Sequence, residues 1–139
     1  AHIDSVLLTD MSGQAIERVE TNAAMRVTTR VTAQMPLRAP VIKIYISKLD
    51  GTVVWSTTSQ RATTNLGNIP DSVTATIDIP HLPLLEGTYY ISVACTDATG
   101  TTEYDHCQNW VRFDVHQNDL FEEGLVAVPS MWSIERHAK

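Results

Sequence analysis

Three aromatic residues occupy positions that the sequence pattern predicts to be the outward face of a β-sheet. Tyr45, Tyr90 and Trp110 each lie in a segment of alternating apolar and polar residues, and each ring falls on the polar side of that alternation. A sheet that packs on one side needs no large rings on the other, so the rings on this face need an explanation. The neighbouring outward positions carry side chains that form hydrogen bonds or ion pairs: Lys43, Ser92, Arg112 and Asp114.

These seven residues form one surface if segments 41–48, 88–97 and 109–115 are neighbouring strands, as in an immunoglobulin-like order. An aromatic ring packs well on the flat apolar face of a pyranose, while Arg, Asp and Ser pair with the sugar hydroxyls. Tyr, Trp and Arg are equally the usual anchors of protein interfaces. In a third interpretation, a loop or the last strand of the chain covers the rings. The residues alone do not decide between the three.

Motifs for catalysis or nucleotide binding are absent from the sequence. It contains no Gly-x-x-x-x-Gly-Lys-Ser/Thr phosphate loop, no Gly-x-Ser-x-Gly elbow and no His-Glu-x-x-His zinc helix. Asp78 and Asp114 are the only carboxylates predicted on outward strand positions, and nothing brings them together as a glycan hydrolase requires. We therefore expect a protein that is not an enzyme and that uses no cofactor.

Two short stretches have only part of the pattern of a metal site. Asp105, His106 and Cys107 form the densest group of ligand types, but neighbours on a strand point to opposite faces and cannot meet at one ion. We expect Asp105 to cap a turn instead. The stretch 97–101 lacks the acidic pattern and the final glutamate of a calcium loop. The sequence thus predicts no metal site.

Length and charge indicate a single domain and argue against a protein that binds nucleic acid. The chain of 139 residues and 15.4 kDa corresponds to one domain. Ten basic and sixteen acidic residues give a net charge of −6, which argues against nucleic-acid binding. We see no signal peptide and no membrane-spanning stretch, and the start at Ala1 predicts a domain excised from a longer protein. Cys95 and Cys107 are interpreted as free thiols of a reducing compartment, with a hairpin disulfide as the alternative.

The dominant signal along the chain is a period of two residues. Ile42, Ile44 and Ile46 alternate with polar residues, and Asp50-Gly51 then predicts a hairpin turn. The pattern predicts an all-β, antiparallel β-sandwich that is immunoglobulin-like or a jelly roll. We expect a short helical turn within 80–87 and a long surface loop over 59–72. The predicted strands are 3–9, 25–33, 41–48, a return strand from 53, 73–79, 88–97, 109–115 and 125–128.

Several motifs occur in an order and spacing that is more specific than any one of them. The first is a strand that leads to Asp10 and Gly13, and the second is the hairpin from Pro40 to Thr52. The remaining motifs are Leu84-Leu85-Glu86-Gly87-Thr88-Tyr89-Tyr90, then Tyr104-Asp105 followed by Asn109–Val115, and finally Gly124-Leu125-Val126 with Trp132.

In these motifs the chain resembles the C-terminal carbohydrate-binding domain of Wzt-type subunits, the nucleotide-binding subunits of ABC transporters that export O-antigen polysaccharide. The resemblance implies non-catalytic binding of the lipid-linked polysaccharide at its non-reducing end. It further implies a cytoplasmic location at the inner face of the inner membrane, an ATPase domain elsewhere in the parent chain, and transmembrane partner subunits. It also implies a homodimer that exchanges its last strand, residues 124–132. A structural or protein-interaction sandwich, with the aromatic surface docking a partner, is the alternative.

Overall fold

The computed structural model describes residues 2–33, 35, 39–61, 72–117 and 121–137. Eight β-strands and one 3₁₀ turn make up the regular structure of these residues, and no helix among them is long and apolar enough to cross a membrane. The strands are β1 (His2–Thr9), β2 (Arg18–Glu20), β3 (Met25–Thr32), β4 (Val41–Ser47), β5 (Val53–Thr58), β6 (Ser72–Ile79), β7 (Gly87–Thr96) and β8 (Glu103–His116), and the turn is Ser59–Arg61.

The strands form two sheets that pack face to face, which confirms the predicted all-β sandwich. One sheet has three strands in the order β1-β3-β6, and the other has five in the order β2-β8-β7-β4-β5. All neighbours are antiparallel except β2 and β8, which run parallel from Arg18 opposite Asp114 to Glu20 opposite His116. The polar segment before β3 therefore adds a short parallel strand that the alternation did not predict.

The core lies between the sheets, where the alternating residues meet. Ile42, Ile44 and Ile46 point inward from β4 as predicted, and all three are buried. Tyr89 stacks on Phe113 with ring centroids 5.8 Å apart. The hydroxyl of Tyr89 donates a 2.8 Å hydrogen bond to the Leu85 carbonyl. The one polar side-chain group of this buried pair is therefore hydrogen-bonded.

One long edge of the sandwich is closed by the chain itself. Near the start of β1, the Ile3 N–H donates a 2.7 Å hydrogen bond to a carboxylate oxygen of Asp105 on β8. Asp105 thus ties two sheets together and does not cap a turn, which corrects the expectation from sequence. At the other end of β1, the Ile16 N–H donates to Leu8, and the chain then continues into β2 alongside β8.

The opposite edge has a different construction. There β5 ends the five-stranded sheet and β6 ends the three-stranded sheet, and no strand of the described residues joins them. The segment between them in the chain contributes the 3₁₀ turn Ser59–Arg61, whereas residues 62–71 of the predicted loop lie outside the described part of the chain. We call this side the open edge, because the described residues place no strand between β5 and β6 there.

Other expectations about the strand ends need correction. Residues 80–86 form no helical turn, and residues 125–128 form no full strand, because only Val126 makes a β-bridge, to Leu84. Strand β8 begins at Glu103, six residues before the predicted start at 109. The hairpin at Asp50-Gly51 is confirmed, with Gly51 in the left-handed region at φ 91°.

Candidate functional site

The three strands that carry the predicted surface are neighbours in the order β8-β7-β4, as the sequence indicated. Across β4 and β7, Tyr45 lies opposite Ser92. Across β7 and β8, Tyr90 lies opposite Arg112. We call the outward surface of these strands the aromatic face, and it consists of Lys43, Tyr45, Tyr90, Ser92, Trp110, Arg112 and Asp114.

The members of the aromatic face differ in how much surface they offer. Trp110 is the most exposed ring, with 43% of its surface accessible, whereas Tyr45 and Tyr90 are half-buried. Ser92 is only 5% exposed, and its hydroxyl accepts a 2.8 Å hydrogen bond from the Asn109 N–H. Ser92 therefore holds the backbone of β8 in place, and its capacity to bind an outside group is small.

A bulge in β8 explains this use of Ser92. Ile91 pairs with Val111, and Val93 pairs with Cys107, so three residues of β8 face the single residue Ser92. Asn109, in the middle of the bulge, has a φ of 51°, in the left-handed region that Asn tolerates better than most residues. A bulge bends the strand and re-aims its side chains, and here Trp110 follows directly after the turn of the backbone.

Charges on the aromatic face are partly satisfied within the molecule. Asp114 accepts a 2.8 Å hydrogen bond from the Thr88 hydroxyl and lies 3.7 Å from the Arg112 guanidinium. The Arg112 side chain is 64% exposed. Lys43 lies opposite Ala94 on one side and Thr58 on the other, so its cross-strand neighbours are uncharged. The arrangement offers stacking surfaces beside two cations and one restrained carboxylate.

The described residues form neither a pair of catalytic carboxylates nor a group of metal ligands. Asp78 lies on β6 and Asp114 on β8, in different sheets, so the two carboxylates do not form an acid and base pair. In this part of the chain no group of three or more His, Cys, Asp or Glu side chains could hold a metal ion. Asp97 accepts hydrogen bonds from the hydroxyls of Thr99 and Thr101 and so closes its own turn.

The two cysteines are free and lie on adjacent strands. Cys95 is opposite Asp105, and Cys107 is opposite Val93, so they are staggered rather than paired across the ladder. Burial raises the pKa of both thiols, and the charge of Asp105 raises it further. Both therefore remain protonated at neutral pH, as expected of packed rather than reactive cysteines.

Two cavities at the open edge were not anticipated from the sequence. The larger, about 520 Å³, is lined by residues of both sheets and of the 3₁₀ turn, and the smaller, about 390 Å³, lies beside Pro80 and Pro83. Trp55 lines both of them. A period-two pattern starting at Val53 places Trp55 inward, opposite Ile46, but it does not show that the neighbouring edge is uncovered.

The last described segment leaves the sandwich with large apolar side chains uncovered. The chain is held as far as Ala127, whose N–H donates a 2.8 Å hydrogen bond to the Pro83 carbonyl. Beyond it, Met131 is 94% and Trp132 is 90% exposed, and Ile134 is also exposed. The described part of the chain thus leaves these three large apolar side chains exposed to solvent here.

Comparison with solved structures identifies the fold. A crystal structure of the C-terminal domain of Wzt matches with a TM-score of 0.83 at 17% sequence identity, covering 96% of this chain and 83% of that one. The CARDB domain of a Pyrococcus furiosus protein, solved in complex with di-metal ions, matches with a TM-score of 0.49 at 18% identity, covering 84% and 96%. That second similarity is too low to indicate anything about chemistry.

Comparison of sequences gives the family. No curated protein sequence matches the chain significantly. The family model that describes the Wzt C-terminal domain matches residues 1–128, nearly the whole chain. The chain therefore belongs to the Wzt C-terminal domain family.

Proposed function

We propose that this domain binds O-antigen polysaccharide without catalysis and presents its non-reducing end to an ABC transporter for export. The observation that carries the proposal is the aromatic face, where Trp110, Tyr90 and Tyr45 line neighbouring strands beside Arg112 and Lys43 in a member of this family. Rings supply the stacking surface for sugar faces, and the two cations direct hydroxyls or an acidic group.

The proposal extends to a larger assembly. We propose that an ATPase domain lies elsewhere in the parent chain, and that it works with transmembrane subunits at the inner face of the inner membrane. The domain would then lie in the cytoplasm, where free Cys95 and Cys107 are the expected state. ATP hydrolysis belongs to the ATPase domain, and the domain described here selects the cargo.

Binding should be weak for each domain. Few polar contacts and partly exposed rings correspond to a Kd of roughly 1 µM to 1 mM, or about −8 to −4 kcal/mol. Calorimetric titration of the domain with O-polysaccharide from the source strain should therefore show heat and saturation. Absence of heat at millimolar polysaccharide would contradict the proposal.

A single substitution separates glycan binding from protein docking on the aromatic face. Trp110→Ala should weaken polysaccharide binding roughly tenfold, since a lost ring contact of about 1.4 kcal/mol corresponds to that factor. The oligomeric state, measured by light scattering, should stay unchanged. If the substitution instead abolished assembly and left polysaccharide binding intact, the aromatic face would be a protein interface.

The exposed C-terminal segment supports a second part of the proposal, a homodimer formed by strand exchange. The resemblance implied exchange of residues 124–132, but residues 125–127 pair with 83–85 of their own chain. We therefore propose a shorter exchange, in which the segment from Val128 to Ile134 docks on a second copy. The smaller cavity at the open edge is a suitable acceptor because nearly all its lining is apolar, including Ile79, Leu82 and Leu84. Two linked domains would rebind one polysaccharide with higher avidity.

Removal of the apolar anchor tests the dimer. Trp132→Ser should shift the domain from dimer to monomer in light scattering, because a side chain that is 90% exposed in one copy contributes to stability only through a partner. Its unfolding temperature at high dilution should stay unchanged. A monomeric wild-type domain at high concentration would contradict strand exchange and leave the glycan proposal standing.

A further inference from the structure

The larger cavity at the open edge, which we call the edge cavity, differs in chemistry from the smaller one beside it. The smaller cavity has only Asp78 as a polar side chain in its lining. The lining of the edge cavity combines apolar residues and Trp55 with several polar residues. These polar residues are Thr57, Thr58, Ser59, Arg61, Thr74, Thr76 and Asp78, of which Asp78 is already paired with Arg26.

This composition suits a sugar better than a peptide side chain. A pyranose presents an apolar face to a ring such as Trp55 and hydroxyls to donors and acceptors at its rim. Arg61 ends the 3₁₀ turn and is exposed, so its guanidinium is available to a ligand. The Ser59 hydroxyl accepts a 3.0 Å hydrogen bond from the Ile42 N–H, which leaves its own proton to donate. The volume of about 520 Å³ lies within the usual range of ligand sites, about 300–1,000 Å³.

The edge cavity offers a way to distinguish the end of the polysaccharide from its inner sugar units, which the aromatic face does not. The aromatic face is the outward side of a sheet of adjacent strands. A flat surface binds inner and terminal sugar units alike, because nothing beyond the last ring distinguishes them. The edge cavity has the buried residues Ile42 and Ile44 in its lining, so a sugar chain that enters between the sheets at this point meets the core.

The two surfaces are continuous around β5. Thr58 lines the edge cavity and is also the cross-strand partner of Lys43 on the aromatic face. Neighbouring strands lie about 4.8 Å apart, so the path from β8 across β7 and β4 to β5 measures about 14 Å. One polysaccharide chain can therefore lie across the aromatic face and turn over β5 into the edge cavity.

We propose that the edge cavity binds the terminal one or two sugar units of the polysaccharide, with Trp55 as the stacking ring and Arg61 as the charged contact, while the aromatic face binds the units that follow. This inference rests on the proposed function. It assigns the reading of the chain end to the space between β5 and β6 rather than to the sheet surface.

Chain length distinguishes end binding from internal binding without knowledge of the sugar. The probe is O-polysaccharide released from lipopolysaccharide of the source strain and separated into fractions of increasing length. With end recognition, the number of domains bound per polysaccharide chain is the same for short and long fractions. With internal binding that number increases with length. A wild-type count that increases with length would overturn the inference while leaving polysaccharide binding itself established, whereas no binding to any fraction would overturn the proposed function.

Substitutions then locate the end-binding site. Ala75→Phe places a ring in the lining of the edge cavity and should lower affinity roughly tenfold or more. Its matched control is Val73→Phe, on the same strand, at an inward half-buried position outside the lining. Arg61→Ala, an exposed position that leaves the core intact, is the second variant. Trp110→Ala should weaken binding but keep a count that does not depend on length.

The substitutions decide whether the edge cavity is the end-binding site. Loss of affinity in Ala75→Phe and Arg61→Ala, with residual binding that now increases with chain length, would support the edge cavity. If Ala75→Phe does not fold, as judged by its thermal transition, Arg61→Ala gives the answer alone. Unchanged affinity and unchanged length dependence in Arg61→Ala and in a folded Ala75→Phe would overturn the inference.

Discussion

Along one long edge of the sandwich, β1 and the segment that leads to β2 lie against β8, and Asp105 accepts a hydrogen bond from the Ile3 N–H. Along the other edge, β5 and β6 face each other across two cavities, with Trp55 lining both. On the first edge the Ile3 N–H is bonded to a side chain of the opposite sheet, and β2 pairs with β8 within its own sheet. On the second edge the described residues leave two partly open cavities between the sheets.

The two edges are built from similar strands, but we expect them to serve different purposes: one stabilises the fold and the other binds. A closed edge contributes to the free energy of unfolding, since its hydrogen bonds exist only in the folded chain. An open edge contributes little of this kind and can bind another chain or a ligand. We therefore expect substitutions at the closed edge to change stability, and substitutions at the open edge to change binding.

The largest stability effect should come from Asp105. Asp105→Ala removes the acceptor for the Ile3 N–H and should lower the free energy of unfolding by about 1.5–3 kcal/mol, the range for hydrogen bonds to charged groups. Urea denaturation followed by tryptophan fluorescence measures this. Asp105→Asn keeps one acceptor oxygen and should cost less, and Thr76→Ala at the open edge should change stability by no more than about 0.5 kcal/mol. Equal losses in Asp105→Ala and Thr76→Ala would remove the contrast between the edges.

A smaller effect concerns the thiols behind the closed edge. Burial and the Asp105 charge both raise the pKa of Cys107, so this thiol should react with a disulfide reagent more slowly at pH 8 than in the unfolded chain. Asp105→Asn should increase the rate at Cys107, because the charge is removed while burial remains. The fully buried Cys95 should react last. Reaction of both thiols in the native domain as fast as in urea would contradict this assignment.

The smallest effect is expected at the open edge, from the exposed pair Arg26 and Asp78. The hydrogen bond from the Arg26 guanidinium, 2.7 Å long, holds the pKa of Asp78 below its usual value. A carboxylate with a lowered folded pKa stabilises the fold above its unfolded pKa, about 4, and this contribution disappears as the pH falls through the folded pKa. Arg26→Met should therefore be slightly less stable than wild type at pH 7, and equal to it in strong acid. A difference that grows on acidification would show that the sign is wrong.

The alternation of residues predicted most strands because each strand has one face on the core. Ile42, Ile44 and Ile46 establish the register of β4 without help from distant residues, and the same holds for β3 and β7. Strand β2 was not predicted, because three residues are too few to show an alternation of apolar and polar residues. Its partner β8 is also distant in the sequence. Residues 125–128 were predicted as a strand from their apolar content, but pairing depends on an available partner, and only Leu84 provides one.

The candidate site was predicted in part. The sequence brought the seven residues of the aromatic face onto three adjacent strands, since their order follows from an immunoglobulin-like arrangement. It did not reveal that the Ser92 hydroxyl binds the backbone of the bulge at Asn109, because a bulge depends on the pairing of two strands. It did not reveal the edge cavity either, because the separation of β5 and β6 depends on how the sheets end rather than on any residue pattern.

The bulge in β8 has a consequence for how this domain tolerates change. It inserts two residues between the pairs Ile91–Val111 and Val93–Cys107, and two is an even number. Removing or adding residues there in pairs leaves the inward sides of both halves of β8 as they are, whereas a single insertion would turn one half over. We therefore expect β8 to tolerate insertions or deletions of two residues at Asn109 better than those of one, and such changes would reshape the surface beside Trp110.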